Sequence, residues 1–285
     1  APSASGTHTF AQQATISGQG AHVFEIWADM GNDQNRYNDT ATVTVNITSS
    51  TPVVPPLSEN FESFTLCSTN YDCEATTCNM ANGWVNDPNL VVDDIDWRTD
   101  EGGTPSANTG PAADFNPGTA SGNYVYLEAS NGCDNKTAHL VSPCIDLTTA
   151  LSANLTFRYH MNGADMGSLH LDVLDSGVWV NDIITAISGN QGNSWLLGTA
   201  NLSQYIGRKI LVRFRGTTAT GYRGDMALDD INISMLVGQN NPGMTSLNVY
   251  PNPSENVFNI SLYSFNSQNA TYRVMDNTGR IIMEN

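Results

Sequence analysis

Apolar and polar side chains alternate with a period of two in several short runs, whereas the period of an amphipathic helix is nearly absent. Clusters of glycine, asparagine and proline separate these runs at short intervals, which is typical of antiparallel sandwiches. The pattern therefore predicts an all-β chain. The clearest runs cover residues 43–47, 155–159, 210–214 and 231–233.

Two linkers divide the chain. Proline cannot donate a ladder hydrogen bond, so the proline-rich segment 51–58 is expected to be an extended spacer. A second linker, residues 238–246, is rich in glycine and asparagine. The sequence thus predicts three parts: residues 1–50, too short for a complete sandwich, a large domain at 59–237, and a small C-terminal part at 247–285.

Charge narrows the possible partners. The 285 residues carry 28 acidic and 11 basic side chains, a formal net charge of -17. Nucleic acid is an unfavourable partner, because phosphate binding needs clustered cations. The acidic excess favours a calcium ligand, although a merely soluble acidic surface explains it equally well. No apolar run reaches the length of a membrane span, and the N-terminal residues do not resemble a signal peptide, so a processed piece is expected.

The five cysteines do not fit a closed zinc site, since neither C-x2-C nor a following H-x3-5-H occurs. Disulfides formed in an oxidising compartment are expected instead, with one thiol left over or paired outside this chain. The candidates are Cys67, Cys73, Cys78, Cys133 and Cys144.

Six ordered blocks between residues 59 and 237 resemble the MAM domain, in the version found in secreted Bacteroidetes proteins. The resemblance implies a jelly-roll β-sandwich of two antiparallel sheets that serves extracellular adhesion or acts as an accessory module. The crowding of three cysteines into one loop departs from the animal pattern, so no disulfide pairing is carried over. The blocks are residues 60–62 (NFE), 94–97 (DIDW), 122–128 (GNYVYLE), 138–143 (AHLVSP), 155–163 (LTFRYHMNG) and 224–231 (GDMALDDI).

Acidic side chains near the first and last strands of this domain suggest a structural Ca²⁺ site. Asp229, Ile231 and Ile233 are alternate residues of one predicted strand, so their side chains are expected on the same face of the sheet. The isoleucines indicate that this face is the core, where burying an unpaired carboxylate is costly. Calcium takes 6 to 8 oxygen ligands and would compensate it. The predicted ligands are Glu62, Asp96 and Asp229, followed by Asp94 and Asp230. In the competing interpretation, Asp229 accepts hydrogen bonds from turn amides and the others face water.

Both ends resemble other secreted modules. Residues 1–50 resemble the C-terminal part of an immunoglobulin-like domain of the CARDB kind, through residues 20–29 and 37–45. Residues 247–285 resemble the type A sorting domain of the type IX secretion system, through the Tyr-Pro-Asn-Pro start at 250–253 and the Asp-x-x-Gly-Arg turn at 276–280. The resemblance implies secretion to the cell surface or beyond. Because the chain ends at Asn285, the sorting domain is expected to be partial.

Four further motifs are weaker. Arg223-Gly224-Asp225 matches an adhesion tripeptide, but a turn is favoured, since glycine allows the turn and aspartate caps it. His160 is expected on a strand surface. Asp39-Thr40-Ala41 resembles a Bacteroidetes O-glycosylation motif and makes Thr40 a candidate. Six aromatic residues could form a sugar-stacking face, although such residues mostly serve cores: Trp84, Trp97, Tyr124, Tyr126, Trp179 and Trp195.

The sequence contains no H-E-x-x-H, G-x-S-x-G or P-loop motif. The leading hypothesis is a non-catalytic, calcium-stabilised region of a large type IX-secreted surface protein that binds a glycan or protein ligand. Two alternatives remain open. The chain is either the accessory region of a secreted hydrolase, such as a metalloprotease with its catalytic domain upstream, or cargo of the secretion machinery.

Overall fold

The computed structural model describes residues 20–27, 40–47, 51–67, 69, 73, 78–237, 244–250, 259–264, 273–275 and 280–284. The chain divides into two compact units, Ala1–Val237 and Gly238–Asn285. The chain is all-β, as the period-two pattern predicts. In the described part, helical structure is confined to a short 3-10 turn at Ser203–Tyr205.

The first two strands, β1 (Gly20–Trp27) and β2 (Thr40–Ile47), form an antiparallel hairpin. Phe24 lies opposite Val43, and Ile26 lies opposite Ala41, so the alternating positions place apolar side chains on one face of the hairpin. This is the described part of the segment that resembles an immunoglobulin-like domain.

Two antiparallel sheets form a jelly-roll sandwich over residues 51–237. The front sheet has the order β13-β9-β15-β6-β5, with β3 beside β15. The back sheet has the order β11-β10-β14-β7-β4, with β8 beside β14 and β12 beside β10. The strands are β3 (Leu57–Glu59), β4 (Val85–Asn86), β5 (Arg98–Glu101), β6 (Asn123–Leu127), β7 (Thr137–Val141), β8 (Ile145–Asp146), β9 (Ala150–Met161), β10 (Ser168–Asp175), β11 (Val178–Val180), β12 (Ile187–Ser188), β13 (Gly192–Asn201), β14 (Lys209–Thr217) and β15 (Met226–Val237).

The core lies between the sheets and is built from alternate residues of each strand. Phe157 of β9 packs edge-on against Phe214 of β14, with ring centroids 5.0 Å apart. Trp84 packs against Phe214 and Phe61, and all four rings are almost fully buried. Fully burying one such side chain contributes roughly 1.5–3 kcal/mol. This packing gives the sandwich a stable scaffold for its loops.

Two disulfides fasten the loop after β3. Cys67 pairs with Cys78, and Cys73 pairs with Cys133. Disulfide formation is therefore confirmed, and Cys144 lies buried outside both bonds. The pairing depends on which loops meet in space, so it could not be read from the spacing of the cysteines.

A β-bulge corrects the predicted orientation of Asp229. The pairing of β15 with β9 shifts register between Asp229 and Asn232, and Asp230 has a φ of 46°. Leu228 and Ile231 consequently both face the core. Asp229 follows Leu228 on the opposite, outer face of the front sheet, although it is fully buried there.

The C-terminal unit contains two antiparallel pairs. Strand β16 (Met244–Tyr250) pairs with β17 (Asn259–Ser264), and β18 (Arg273–Met275) pairs with β19 (Ile281–Glu284). The strands of the last pair lie on either side of the predicted Asp-x-x-Gly-Arg turn at residues 276–280. The turn itself and the two prolines of the Tyr-Pro-Asn-Pro start lie outside the described residues.

Candidate functional site: a strap held by buried carboxylates

Residues 102–122 connect β5 to β6 and lie across the outer face of the front sheet; we call them the strap. The hydroxyl of Tyr124 donates to the Gly102 carbonyl at 3.1 Å, and the Trp195 indole N–H donates to the Ala113 carbonyl at 2.9 Å. Both aromatic residues stand on strands of the sheet. The strap is therefore fastened to the sheet over much of its length.

Asp229 holds the middle of the strap. Its Oδ2 accepts the backbone N–H groups of Phe115 at 2.8 Å and Asn116 at 3.0 Å, and its Oδ1 accepts the N–H of Asp230. The Arg158 guanidinium lies 4.1 Å from the centroid of the Phe115 ring. Burial raises the pKa of Asp229 to about 7 in spite of the three amide donors. The competing sequence interpretation, amide donors around Asp229, describes this arrangement.

Three other acidic side chains lie near the same part of the strap. Asp114, also buried, accepts the N–H groups of Gly118 and Thr119, and its charge contributes to the raised pKa of Asp229. Glu62 accepts the N–H of Asn123 at 2.7 Å, immediately after the strap. Asp230 accepts a side-chain hydrogen bond from Asn116 at 3.2 Å.

The other predicted calcium ligands have different contacts. Asp94 accepts the N–H of Thr137 at 2.9 Å, and Asp96 accepts the N–H of Cys78 at 2.7 Å. Burial also raises the pKa of Asp96. The structure therefore connects Asp229 and Asp230 to the strap but gives Asp94 and Asp96 separate backbone partners. Within the described ranges, no three His, Cys, Asp or Glu side chains form a group that could hold a metal ion, so the five predicted ligands do not fit one common site.

Sequence reasoning missed two carboxylates at the end of the strap, Glu128 and Asp225. Asp225 is fully buried, its Oδ1 accepts the Ala129 N–H at 3.0 Å, and its own N–H donates to the Thr109 hydroxyl at 2.8 Å. Asp225 belongs to the Arg-Gly-Asp tripeptide, which is therefore structural, as the turn interpretation favours. The missing signal was the strand register that places Asp225 beside Glu128.

The aromatic residues pack within the sandwich, as the competing interpretation favours, and do not form the candidate sugar-stacking face. Trp84 and Trp97 belong to the sandwich core, while Tyr124 and Tyr126 are fully buried on the outer face of the front sheet. Trp195 is half-buried beside Tyr124 and under the strap. The six aromatic residues thus serve packing in different parts of the sandwich.

His160 is buried instead of lying on the strand surface. Its Nε2 lies 3.0 Å from Oδ1 of Asn193, and its ring packs edge-on against Trp195. Burial lowers the pKa of His160, so the imidazole is neutral at pH 7. The strap covers this part of the sheet. The alternation of residues along β9 correctly places His160 on the outer face, but it does not reveal that the strap buries that face.

The outer face of the back sheet carries a second polar network. Asp172 is fully buried and accepts hydrogen bonds from Arg213 and Arg215, with the closest nitrogen–oxygen distances at 2.6 and 2.9 Å. Burial alone would raise the pKa of Asp172, but the hydrogen bonds from Arg215, the Asp182 amide and Arg213 together lower it. The Arg213 guanidinium also lies 4.0 Å from the centroid of the Trp179 ring.

A jelly-roll sandwich with disulfide-fastened loops, followed by a separate small β unit, defines the class of extracellular β-sandwich modules. Residues 61–237 match the family model of the MAM domain, meprin/A5/mu, and the chain belongs to this family. Residues 248–285 match the secretion system C-terminal sorting domain. This type IX sorting domain indicates secretion to the cell surface or the outer membrane. No helix among the described residues is long and apolar enough to cross a membrane.

Curated relatives include neuropilin-1a of Danio rerio, which is 33% identical over 158 residues covering 53% of this chain and 17% of the relative. The human MAM domain-containing glycosylphosphatidylinositol anchor protein 1 is 33% identical over 155 residues, which cover 50% of this chain and 15% of the relative. The chain thus matches less than a fifth of each of these proteins.

Among solved structures, the K1 cleaved adhesin domain of Lys-gingipain from Porphyromonas gingivalis W83 is similar, with 20% identity and a TM-score of 0.42. The match covers 64% of this chain and 99% of that domain. It carries no conclusion about a ligand or an activity.

Proposed function

We propose that this chain is the non-catalytic, calcium-stabilised adhesion region of a larger surface protein secreted by a bacterium of the Bacteroidetes. The observation that carries the proposal is the combination of a MAM sandwich and a type IX sorting domain in one chain. The sorting domain would bring the chain outside the cell, and the sandwich would present its loops to a glycan or protein ligand there.

The turn after β4 is the proposed contact point. Leu90 and Val91 are 84% and 58% exposed, which is unusual for neighbouring large apolar side chains. The turn is held firmly, because the Leu90 N–H donates to the Asp93 carbonyl at 2.7 Å and Asp93 accepts the His139 N–H at 2.7 Å. Apolar side chains on an ordered turn bind with little loss of conformational entropy.

Binding of the full chain to glycan arrays and to host extracellular proteins tests this proposal. We expect saturable binding that the double substitution Leu90→Ser and Val91→Ser weakens. The exposed pair Leu236→Ser and Val237→Ser serves as the matched control, since these apolar side chains lie at the end of β15. Absence of any ligand from both collections, with correctly folded protein, would contradict an adhesion function.

The same experiment separates the alternatives. An accessory region of a secreted hydrolase would bind the hydrolase or its substrate, and its removal would slow hydrolysis by the parent protein. Cargo of the secretion machinery would bind only components of that machinery. If the chain binds only the hydrolase and its substrate, or only the secretion machinery, and no extracellular ligand, the adhesion proposal is wrong.

The candidate O-glycosylation site is compatible with the described structure. Thr40 is exposed at the start of β2, where its hydroxyl is accessible to a modifying enzyme. Mass spectrometry of the chain secreted by its native host would show a glycan on the peptide containing Thr40, and Thr40→Ala would remove it.

A further inference from the structure

Three side chains on the outer face of the back sheet form a continuous series of hydrogen bonds. Ser168 Oγ lies 2.9 Å from Nε2 of His170, and Nδ1 of the same ring lies 2.5 Å from Oδ1 of Asp182. One imidazole therefore joins a hydroxyl to a carboxylate through its two ring nitrogens. This is the arrangement of a nucleophile, a general base and the acid that orients the base.

The strand period of two explains why the hydroxyl and the imidazole meet. Ser168 and His170 are alternate residues of β10, so both side chains lie on one face of the strand. Leu169 and Leu171 belong to the core, which places Ser168 and His170 on the outer face. Asp182 lies in the loop after β11 and has a φ of 56°, a conformation that is uncommon for residues other than glycine. This turn of the loop brings its carboxylate back to β10.

Further contacts fix the Asp182 carboxylate beside the imidazole. The Asp182 N–H donates to Oδ1 of Asp172 at 2.9 Å, and Arg215 donates to Oδ1 of Asp182 at 3.2 Å. Asp172 is fully buried and accepts hydrogen bonds from Arg213 and Arg215. An ionised carboxylate can only accept hydrogen bonds, so Nδ1 of a neutral imidazole carries the proton and Nε2 accepts the Ser168 hydroxyl. The network thus holds the base in the form that can take a proton from the serine.

The surroundings of Ser168 suit a reaction at a carbonyl carbon. Ser168 is half-buried, and the His170 side chain is 16% exposed, so both remain accessible at the sheet surface. Ser188 and Thr217 lie opposite Ser168 in the two neighbouring strands, on the same face of the sheet. The Cβ atoms of such cross-strand neighbours lie about 4.5–5.5 Å apart. The two hydroxyl groups are therefore placed to donate to an oxygen anion that develops next to Ser168.

We propose that Ser168 is a nucleophile that accepts an acyl group from a carboxylic ester, with His170 as its general base and Asp182 as the residue that positions the base. Nε2 of His170 takes the hydroxyl proton while Ser168 Oγ attacks the carbonyl carbon of the ester. The bond between that carbon and the alcohol oxygen then breaks, and the leaving alkoxide takes the proton from Nε2. The products are an acyl-serine and a free alcohol, and the step consumes no other reactant.

This inference goes beyond the proposed function, which concerns binding alone. The neighbours of Ser168 on the outer face are polar, so a short acyl group such as acetyl fits better than a long apolar chain, which would leave them without water. The substrate class is therefore a small carboxylic ester, such as an acetylated alcohol or sugar.

Reaction of the full chain with p-nitrophenyl acetate in mildly alkaline buffer tests the proposal. We expect a burst of about one p-nitrophenol per chain, the sign of an acyl intermediate that accumulates. Mass spectrometry of the digested protein is expected to locate the acetyl group on Ser168. Ser168→Ala should abolish the burst. Ser176→Ala is the matched control, because Ser176 is exposed after β10 and bonds to Asp175 instead of an imidazole.

Substitutions of the other two residues separate a chemical role from a structural one. His170→Gln should lower the burst rate by about 10²–10⁴-fold, the usual contribution of a general base. Asp182→Asn should also lower the burst rate, and Asp182→Glu should recover part of the loss because it restores a carboxylate. The Tm of each variant shows that its fold is intact. Burst rates of His170→Gln and Asp182→Asn equal to that of the wild-type chain would overturn the proposed roles.

The contrary results are distinct from a failure of the adhesion proposal. Acetylation confined to lysines, such as Lys136 and Lys209, or a burst that Ser168→Ala retains, would overturn the nucleophile. A wild-type chain without a burst would overturn it as well. Release that continues beyond one equivalent and disappears in Ser168→Ala would support the nucleophile and overturn the non-catalytic part of the proposed function. Ligand binding on the arrays is a separate measurement, so the adhesion proposal is judged independently.

Discussion

The backbone N–H of Phe115 donates to Oδ2 of Asp229 at 2.8 Å and joins residues 114 positions apart in the sequence. The same carboxylate oxygen accepts the Asn116 N–H, so one buried side chain satisfies two backbone donors of the strap. Since the strap contains no strand of its own, contacts of this kind determine its position.

Removing the Asp229 carboxylate should loosen the strap. Asp229→Ala leaves the Phe115 and Asn116 amides without their acceptor, and each unsatisfied donor costs about 1–3 kcal/mol. We expect a decrease of this order in the free energy of unfolding, measured by urea denaturation. Asp230→Asn is the control, because Asp230 is only half-buried and accepts a side-chain hydrogen bond. Equal losses in both variants would contradict the anchoring role of Asp229.

Stability without calcium should fall as pH rises. Burial raises the pKa of Asp93 and Asp225 to about 8, of Asp229 to about 7 and of Asp100 to about 6, each from 3.8. The folded state therefore binds more protons than the unfolded state between about pH 4 and pH 8, which makes the slope of stability against pH negative there. The urea midpoint in chelator should be lower at pH 8 than at pH 5. A midpoint that increases over this interval would contradict these burial effects.

The contribution of the Asp172 network to stability should depend on pH in the opposite way to that of the carboxylates whose pKa is raised. Asp172→Asn leaves two arginines without their shared carboxylate, and breaking a buried ion pair costs about 3–5 kcal/mol. Because the pKa of Asp172 is lowered, its contribution is present above the unfolded pKa and is lost as pH falls through the lower folded value. Asp182→Asn is the control: this side chain is 47% exposed, so its pair with Arg215 should contribute less than about 1 kcal/mol. Similar urea midpoints for the two variants would contradict the account.

The two disulfides should contribute unequally. Cys73 and Cys133 are separated by 60 residues, whereas Cys67 and Cys78 are separated by 11. In the chain-entropy model, the longer loop contributes about 1.5 kcal/mol more. We therefore expect Cys73→Ser with Cys133→Ser to lower the free energy of unfolding more than Cys67→Ser with Cys78→Ser. The reverse order in urea denaturation would show that strain or residual structure outweighs loop entropy.

The strands of the sandwich were predictable because their signal is local. Leu155 and Phe157 alternate with polar residues and both face the core, as a period of two requires. The same rule placed Asp229 on the wrong face, because the bulge at Asp230 resets the alternation before Ile231. A single positive φ has no sequence signal at an aspartate strong enough to reveal it.

The buried carboxylates near the strap are brought together by the pairing of distant strands, so the sequence alone does not reveal that they are close. Glu128 and Asp225 lie in separate blocks, and their proximity follows only from the pairing of β6 with β15. Likewise, the burial of His160 follows from the strap that crosses its strand, which no pattern within β9 indicates. Composition pointed correctly to an acidic, extracellular protein but could not select which carboxylates approach one another.

Hydrogen exchange of the strap tests most directly whether a bound ion fastens it to the sheet. The full chain, freed of metal by a chelator, would be compared with and without added calcium at the amides of Phe115, Asn116, Ala129 and Ser130. The account predicts slower exchange at these amides in calcium and unchanged exchange in the core of β9. Identical exchange at these four amides in both conditions would contradict the account.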